Sequence, residues 1–353
     1  MKVALVYDWL DSWGGAERVL LEFNRLFPQA PIYTSLYQPK RADFAKKFPK
    51  IEVSFLQKLS SFGHRFLAPL MPLAFENFDF TDFDLVISVS SFAAKGVITK
   101  PPTKHVCYLL TPTRFLWFPN QYQGKKFPKI VNNYLKTWDK IASQRPDKII
   151  TISGTVQKRC QEIYQRPSRV IYPPVNNKFS PPVKRGRKAN FFLIVSRLER
   201  QKRVDLAIRA FNDLGWPLII IGIGSQEKRL KRLAKKNIRF LGKVSDQKLI
   251  GYYQKAQAVI FPQEEDFGLV ALEALACQTP VIAFRAGGAV EIVKEGQTGL
   301  FFTPQNSQSL KEALLKFPKN DYNKDNFYFD RKRFNQKTFT SSWKELISDY
   351  VNG

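Results

Sequence analysis

Three consecutive carboxylates, Glu264, Glu265 and Asp266, follow the apolar run Ala258–Phe261. After them come Phe267, Gly268 and Leu269, then a helical pattern with one further acid, Glu273. Carboxylates crowded at the end of a strand repel one another, so cations or ligand hydroxyls should compensate them. Sugar hydroxyls are natural partners, and Glu265 is placed to reach a sugar from the loop. Glu273, deeper in an apolar helix, is costly to bury unless a ligand hydroxyl or a cation meets it. An acidic helix cap accounts for Asp266 but not for Glu273.

Cations of matching use stand in Ser196–Lys202, after the run Phe191–Val195. Arg197 offers a forked contact and Lys202 a point charge, a pairing suited to a diphosphate leaving group. The plainer alternative is a basic loop, since Arg200 and Arg203 sit alongside. Gly14-Gly15 follows the run Val3–Tyr7 and opens a helical pattern. Backbone amides there can approach a phosphate, with the helix dipole favouring the anion. Gly287-Gly288 after Val281–Phe284 could supply further amides, or be a plain turn.

The elements that must position these residues alternate. In the second half, apolar runs at Phe191–Val195, Leu218–Ile221, Ile238–Leu241, Ala258–Phe261 and Val281–Phe284 are separated by helical patterns at Val204–Leu214, Gln226–Ala234, Asp246–Gln254, Gly268–Ala276 and Ala289–Val293. That order implies a parallel sheet covered on both faces, a doubly wound α/β domain. In the first half, strands are expected at Val3–Tyr7, Ile32–Thr34, Leu85–Val89, His105–Leu109 and Lys148–Ile152, with helices at Ala16–Leu26, Phe127–Ile141 and Thr155–Tyr164. Ser54–Phe80 differs, mixing apolar and basic residues with Pro69 and Pro72 breaking any long helix. Pro173, Pro174, Pro181, Pro182 and the basic stretch Lys184–Lys188 read as a linker. The expected domains are 1–180, 181–329 and a helical tail, 330–353, crossing back to the first.

The 353 residues suit two domains, and the net charge of +26 biases the protein toward anionic partners. Nucleic acid is not expected, because no helix-turn-helix, zinc or RNA-binding signature is present. Cys107, Cys160 and Cys277 read as structural thiols in a reducing compartment. No metal is expected: Asp82-Phe83-Asp84 has a metal-like spacing but immediately precedes an apolar strand, as a turn or cap would. The start, Met1–Trp9, lacks the basic head and long apolar body of a signal peptide. No stretch approaches the roughly 18 apolar residues of a spanning helix, so a cytoplasmic protein is expected.

With these residues assembled, the sequence resembles the retaining GT-B glycosyltransferases of family four, and among them bacterial mannosyltransferases of surface polysaccharides. EDFGLVALEALACQTPVIAFRAGGAVEIV, Glu265–Val293, matches the family's Glu-x7-Glu signature and the strand and glycine turn that follow it. SRLERQK matches the Arg-Leu-x3-Lys loop, GGAERV resembles the glycine loop, and TPTRFLW with SSFAAKG resembles the mannosyltransferase branch. The resemblance implies two Rossmann-like domains facing each other across a cleft. It implies Arg197 and Lys202 on the donor diphosphate, Glu265 on the transferred sugar and Glu273 on the nucleotide ribose. Gly14 and Gly15 would lie beside the diphosphate, Asp266, Phe267, Gly268 and Leu269 along the donor, and Lys243 and Val244 near the base. Departure of the diphosphate would be stabilised by cations and amides, with no cofactor and no metal. GDP-mannose is the favoured donor, and the acceptor is a glycan or lipid-linked. Two positions depart from the pattern: Leu110-Thr111-Pro112 stands where relatives carry His-Thr-Pro, and Gln278 where they tend to carry Gly.

A GT-B sugar-nucleotide epimerase or phosphorylase shares the architecture, but the paired Arg-x4-Lys and Glu-x7-Glu favours transfer. Leu110 keeps a binding-only protein in view. For Ser54–Phe80 two readings stand: a surface leaning on anionic lipid, peripheral at the inner face of the cell membrane, or an ordinary helix pair with a solvated basic face.

Overall fold

The computed structural model describes residues 1–119, 127–183, 188–317 and 329–351; most of the basic stretch assigned to the linker lies outside them. The chain forms two compact units, Met1–Pro173 with Phe339–Gly353, and Pro174–Thr338. The first unit holds strands β1 (Val3–Tyr7), β2 (Ile32–Thr34), β3 (Ile51–Val53), β4 (Leu85–Ser90), β5 (Lys104–Leu109), β6 (Lys148–Thr151) and β7 (Arg169–Val170). The second holds β8 (Phe192–Val195), β9 (Leu218–Ile221), β10 (Ile238–Gly242), β11 (Val259–Phe261), β12 (Val281–Phe284) and β13 (Gly299–Phe302).

Both sheets are parallel and share one winding. The first runs β3-β2-β1-β4-β5-β6-β7 and the second β10-β9-β8-β11-β12-β13. In each, the chain moves outward from a central strand (β1 or β8), then returns to start the other half beside it (β4 or β11). Such a reversal leaves a crevice at the carboxyl ends of the two central strands, where doubly wound sheets bind ligands. Helices on both faces explain why β1 and β4 are buried along their whole length. The observed units are thus two Rossmann-like α/β domains, as the alternation of runs predicted.

Helix Gly15–Leu26 leaves β1 with Glu17 in its first turn and buries Val19, Leu20 and Phe23. The last helix, Gln336–Val351, belongs to the first unit through Phe339 and Trp343, whose rings meet Phe23 and Tyr108 edge-on. In the second unit, helices Val204–Leu214 and Ser307–Lys316 pack Ala207, Phe211, Leu310 and Leu314 on one face of the sheet. Arg203, left-handed at φ 50°, turns the chain into the first of these helices.

The three cysteines are free and buried, and burial pushes their thiols up to about 12 for Cys107 and Cys277 and about 11 for Cys160. They are core side chains. Asp84 accepts from the Lys2 amide at 2.6 Å, a long-range bond that ties the residue before β1 to the one before β4. Gln278 has φ 56°, the left-handed conformation in which relatives' glycine is at ease.

His105 is fully buried in β5, with Nε2 2.8 Å from the Ser88 hydroxyl. Burial holds its pKa down at about 4 from 6.5; Asp147 opposes this and Arg145 reinforces it. The folded protein keeps the ring neutral where the unfolded chain takes a proton. Stability contributed by this depression is therefore complete above pH 6.5 and is lost as pH falls toward 4. Between pH 8 and pH 5 the loss should reach about 2 kcal/mol. His105→Gln should flatten that part of a urea-denaturation pH profile; an unchanged slope would assign the loss to other groups.

Candidate functional site

In the second unit, the crevice between β8 and β11 is where the residues singled out by the sequence gather. Lys202 lies in the short turn Arg200–Lys202 after β8. It is buried, and its ammonium pairs with Oε1 of Glu265 in the loop after β11. Leu198, wholly buried, anchors the loop between them, while Arg197 is exposed on it. The sequence places these two partners 63 residues apart. Adjacent central strands of the sheet bring them together.

Each loop is held by neighbours that leave no room for a side chain. Beyond β9, a Cβ on Gly222 would fall 1.8 Å from the Ser196 carbonyl oxygen, and one on Gly224 2.5 Å from that of Leu198. The Leu198 amide donates to Ile223 at 2.9 Å, and its carbonyl accepts from Gln226 at 2.8 Å. Gly222 and Gly224 thus set the cation loop, although neither stands out among the residues that could do chemistry. Their signal was a Gly-x-Gly directly after an apolar strand.

The acid loop rests on Gly287-Gly288. The Gly288 amide donates to the Glu265 carbonyl at 2.8 Å, and a Cβ on Gly287 or Gly288 would lie 2.2 Å from the Glu265 oxygen or 2.1 Å from that of Phe267. The Gly288 amide, considered above for a ligand, is thus used within the protein, and the pair acts as a backbone seat for Glu265. Gly287→Ala would add a side chain at φ 60° against backbone. A cost of about 1–3 kcal/mol and at least a tenfold loss of any donor turnover are expected. Gly251→Ala in helix Asp246–Lys255, where a Cβ meets nothing within 4 Å, is the control and should lose neither. Equal behaviour of the two variants in thermal unfolding and turnover would contradict this role for Gly287.

Asp266 and Phe267 are buried, Phe267 with its ring 6.0 Å from that of Phe334. Gly268, at φ 107°, makes the turn into helix Leu269–Ala276, and Leu269 is half-buried at its start. Glu273 is buried on that helix, and Oε2 accepts from the Tyr253 hydroxyl at 3.0 Å. A phenol, neither of the partners foreseen for this acid, is thus one of its supports. Gln263, also unnoticed in the sequence, is 2% exposed; its Nε2 is 3.5 Å from Glu265 Oε1, and its own Oε1 meets no protein donor.

Lys243 and Val244 follow β10 and line a hollow of about 350 Å³ with Leu241, Ser245, Lys248 and Tyr252. Among the described residues no group of three or more His, Cys, Asp or Glu is arranged to hold a metal ion.

In the first unit, Gly14 and Gly15 lie at the amino end of helix Gly15–Leu26, after β1. Glu17 in that turn accepts from the Tyr7 hydroxyl at 2.7 Å. The neighbouring loop after β4 is clamped by Asp8, whose carboxylate accepts the amides of Ser91, Phe92 and Ala94 at 2.7, 3.0 and 2.8 Å. SSFAAKG and TPTRFLW meet on one buried acid. Asp139 pairs with Lys95 and accepts from Thr113 Oγ1, Trp117 Nε1 and Tyr164 OH at 2.6–2.8 Å. Leu110 is buried at the end of β5.

Residues 13–179 match the model of Glycosyltransferase Family 4, and residues 176–336 that of Glycosyl transferases group 1. An uncharacterised glycosyltransferase of Methanocaldococcus jannaschii is 32% identical over 213 residues, 59% of each chain, so the match spans less than two thirds of that relative. Among solved structures, a sucrose-phosphate synthase from Thermosynechococcus elongatus superposes with a TM-score of 0.80 at 17% identity, over 99% of both chains. Anabaena HepE in complex with UDP-glucose gives 0.75 at 19%, over 99% of this chain and 100% of that one. At such identities the two structures speak for the fold.

Proposed function

We propose that this chain, a GT-B glycosyltransferase of the group 1, family 4-like kind, moves a hexose from a nucleoside-diphosphate sugar to a glycan or lipid-linked acceptor. Retention of configuration and mannose from GDP-mannose are part of the same reading, and both rest on the sequence resemblance. So does a place in surface-polysaccharide synthesis, on the cytoplasmic side of the cell membrane. The observation that carries the reading is the Lys202–Glu265 pair at the β8/β11 reversal, seated on glycine-built loops.

Breaking the bond between sugar and diphosphate builds negative charge on the departing oxygens. A cation fixed in a partly dry crevice stabilises that charge without having to reorganise. Lys202 is such a cation, and Arg197, exposed on the same loop, can swing onto an incoming phosphate. In this reading the donor draws Lys202 toward its diphosphate and releases Glu265 to accept from sugar hydroxyls. The hollow beside Lys243 and Val244 takes the base, and Glu273 the ribose. A panel of GDP-mannose, UDP-glucose and UDP-N-acetylglucosamine, read by thermal shift and nucleoside diphosphate release, tests it. One donor should both stabilise the protein and be consumed. Stabilisation without release, even with glycan and lipid-linked acceptors supplied, would favour a binding-only protein, and no response would remove the proposal.

A further inference from the structure

Between β3 and β4 the chain winds through short helical segments, Phe55–Phe62, His64–Leu67, Ala68–Leu70 and Met71–Glu76, with Gly63 between the first two and Pro69 inside the third. One set of apolar side chains faces inward: Leu56, Leu67, Met71, Ala74 and Phe75 are buried in the core of the first unit. A second set recurs every three or four residues and faces out. Phe55, Leu59, Phe62, Phe66, Leu70 and Leu73 are 39–62% exposed. Single exposed apolar residues are ordinary, but six large ones exposed within residues 55–73 mark a surface that something covers.

The charges of the segment identify its occupant. From Val53 to Phe75 there is no Asp or Glu, and Lys58 and Arg65 lie among the six in sequence. Glu76, at its end, is already engaged by the Trp138 indole at 2.7 Å and Arg145 at 2.6 Å. A second copy of the chain, itself at +26, would bring like charges together. An anionic lipid surface takes both the apolar side chains and the cations. The segment is fastened from behind in a set pose: His64 stacks on Trp9 at 4.5 Å and 4°, and its Nδ1 pairs with Asp11, in the loop leading to Gly14-Gly15.

We propose that this outward set is the docking surface for an anionic bilayer, with Phe62 and Phe66 entering the interface and Lys58 and Arg65 against the headgroups. The inference rests on the transferase reading, to which it adds the surface from which a lipid-linked acceptor is met.

Flotation with phosphatidylcholine vesicles, with and without phosphatidylglycerol, tests it on the full chain. The protein should float with the anionic vesicles, at least tenfold less with the neutral ones, and less as salt is raised. Phe62→Ser/Phe66→Ser should cut anionic binding at least tenfold. Lys58→Glu/Arg65→Glu should do so in low salt, with circular dichroism unchanged for both. Failure of the unaltered protein to float, equal flotation of the Phe variant, or a lipid-free dimer abolished by that variant would overturn the proposal. Donor turnover without vesicles, measured on the same preparations, separates the two claims. Turnover retained while flotation fails rejects the docking surface alone, whereas absent turnover bears on the transferase reading.

Discussion

Lys202→Ala should lower turnover of the accepted donor by about 10²–10³-fold, chiefly in kcat, and Glu265→Ala should bring a loss of similar order. The prediction concerns kcat because the charge Lys202 meets grows as the diphosphate departs. An interaction that strengthens only on the way to the transition state adds to rate more than to ground-state binding. The two side chains touch each other, so their substitutions should not add. A double variant is expected to lose less than the product of the single losses, the signature of groups acting as a unit. Glu265→Gln separates charge from hydrogen bonding: if sugar hydroxyls are its partners, the amide should recover part of the loss. Steady-state kinetics of nucleoside diphosphate release on the unaltered protein and the four variants would settle it. Effects below about threefold would remove the pair from the chemistry.

The largest effect on stability is expected at Asp139, far from that crevice in sequence and in the other unit. Its carboxylate is completely buried and compensates the ammonium of Lys95, which is 1% exposed. Asp139→Ala would leave that ammonium with the Phe92 carbonyl and would remove the acceptor of Thr113, Trp117 and Tyr164. Removing one partner of a buried ion pair typically costs about 3–5 kcal/mol, because the remaining charge cannot return to water. The double variant Asp139→Leu/Lys95→Met should cost much less than Asp139→Ala alone, since no buried charge remains. Urea denaturation followed by tryptophan fluorescence reports it directly, Trp117 and Trp138 lying beside the network. Equal losses in the single and double variants would mean that the charge pair is not what the site contributes.

These two networks differ in how far the sequence announces them. Runs such as VALVY and LVISVS are buried on both faces, so a continuous apolar stretch was enough to find β1 and β4. β3 and β7 escaped because they are three and two residues long and carry charged side chains. β13 and helix Ser307–Lys316 were missed too, although Asn306 caps that helix through its side chain. Glu265 and Lys202 were legible through spacing that the resemblance made specific; their mutual pairing was not, since it depends on strand order. Lys95 and Asp139 are 44 residues apart, one in the SSFAAKG stretch and the other in an ordinary helical pattern, and only the packed fold shows that each neutralises the other. The Gly287-Gly288 pair was visible as a turn, but its use as a seat for Glu265 needs the three-dimensional approach of two loops. Periodicity reports burial, whereas the partners of a buried polar group are set by topology.

The central claim is that the second unit's crevice cleaves a nucleoside-diphosphate sugar. Its most direct test is ³¹P nuclear magnetic resonance of the accepted donor with the full chain and a glycan or lipid-linked acceptor present. The sugar-linked β-phosphorus signal should give way to that of free nucleoside diphosphate with the unaltered protein, and persist with Glu265→Ala and Lys202→Ala. An unchanged spectrum with every donor and acceptor supplied, or conversion that proceeds as fast in both variants, would contradict the account.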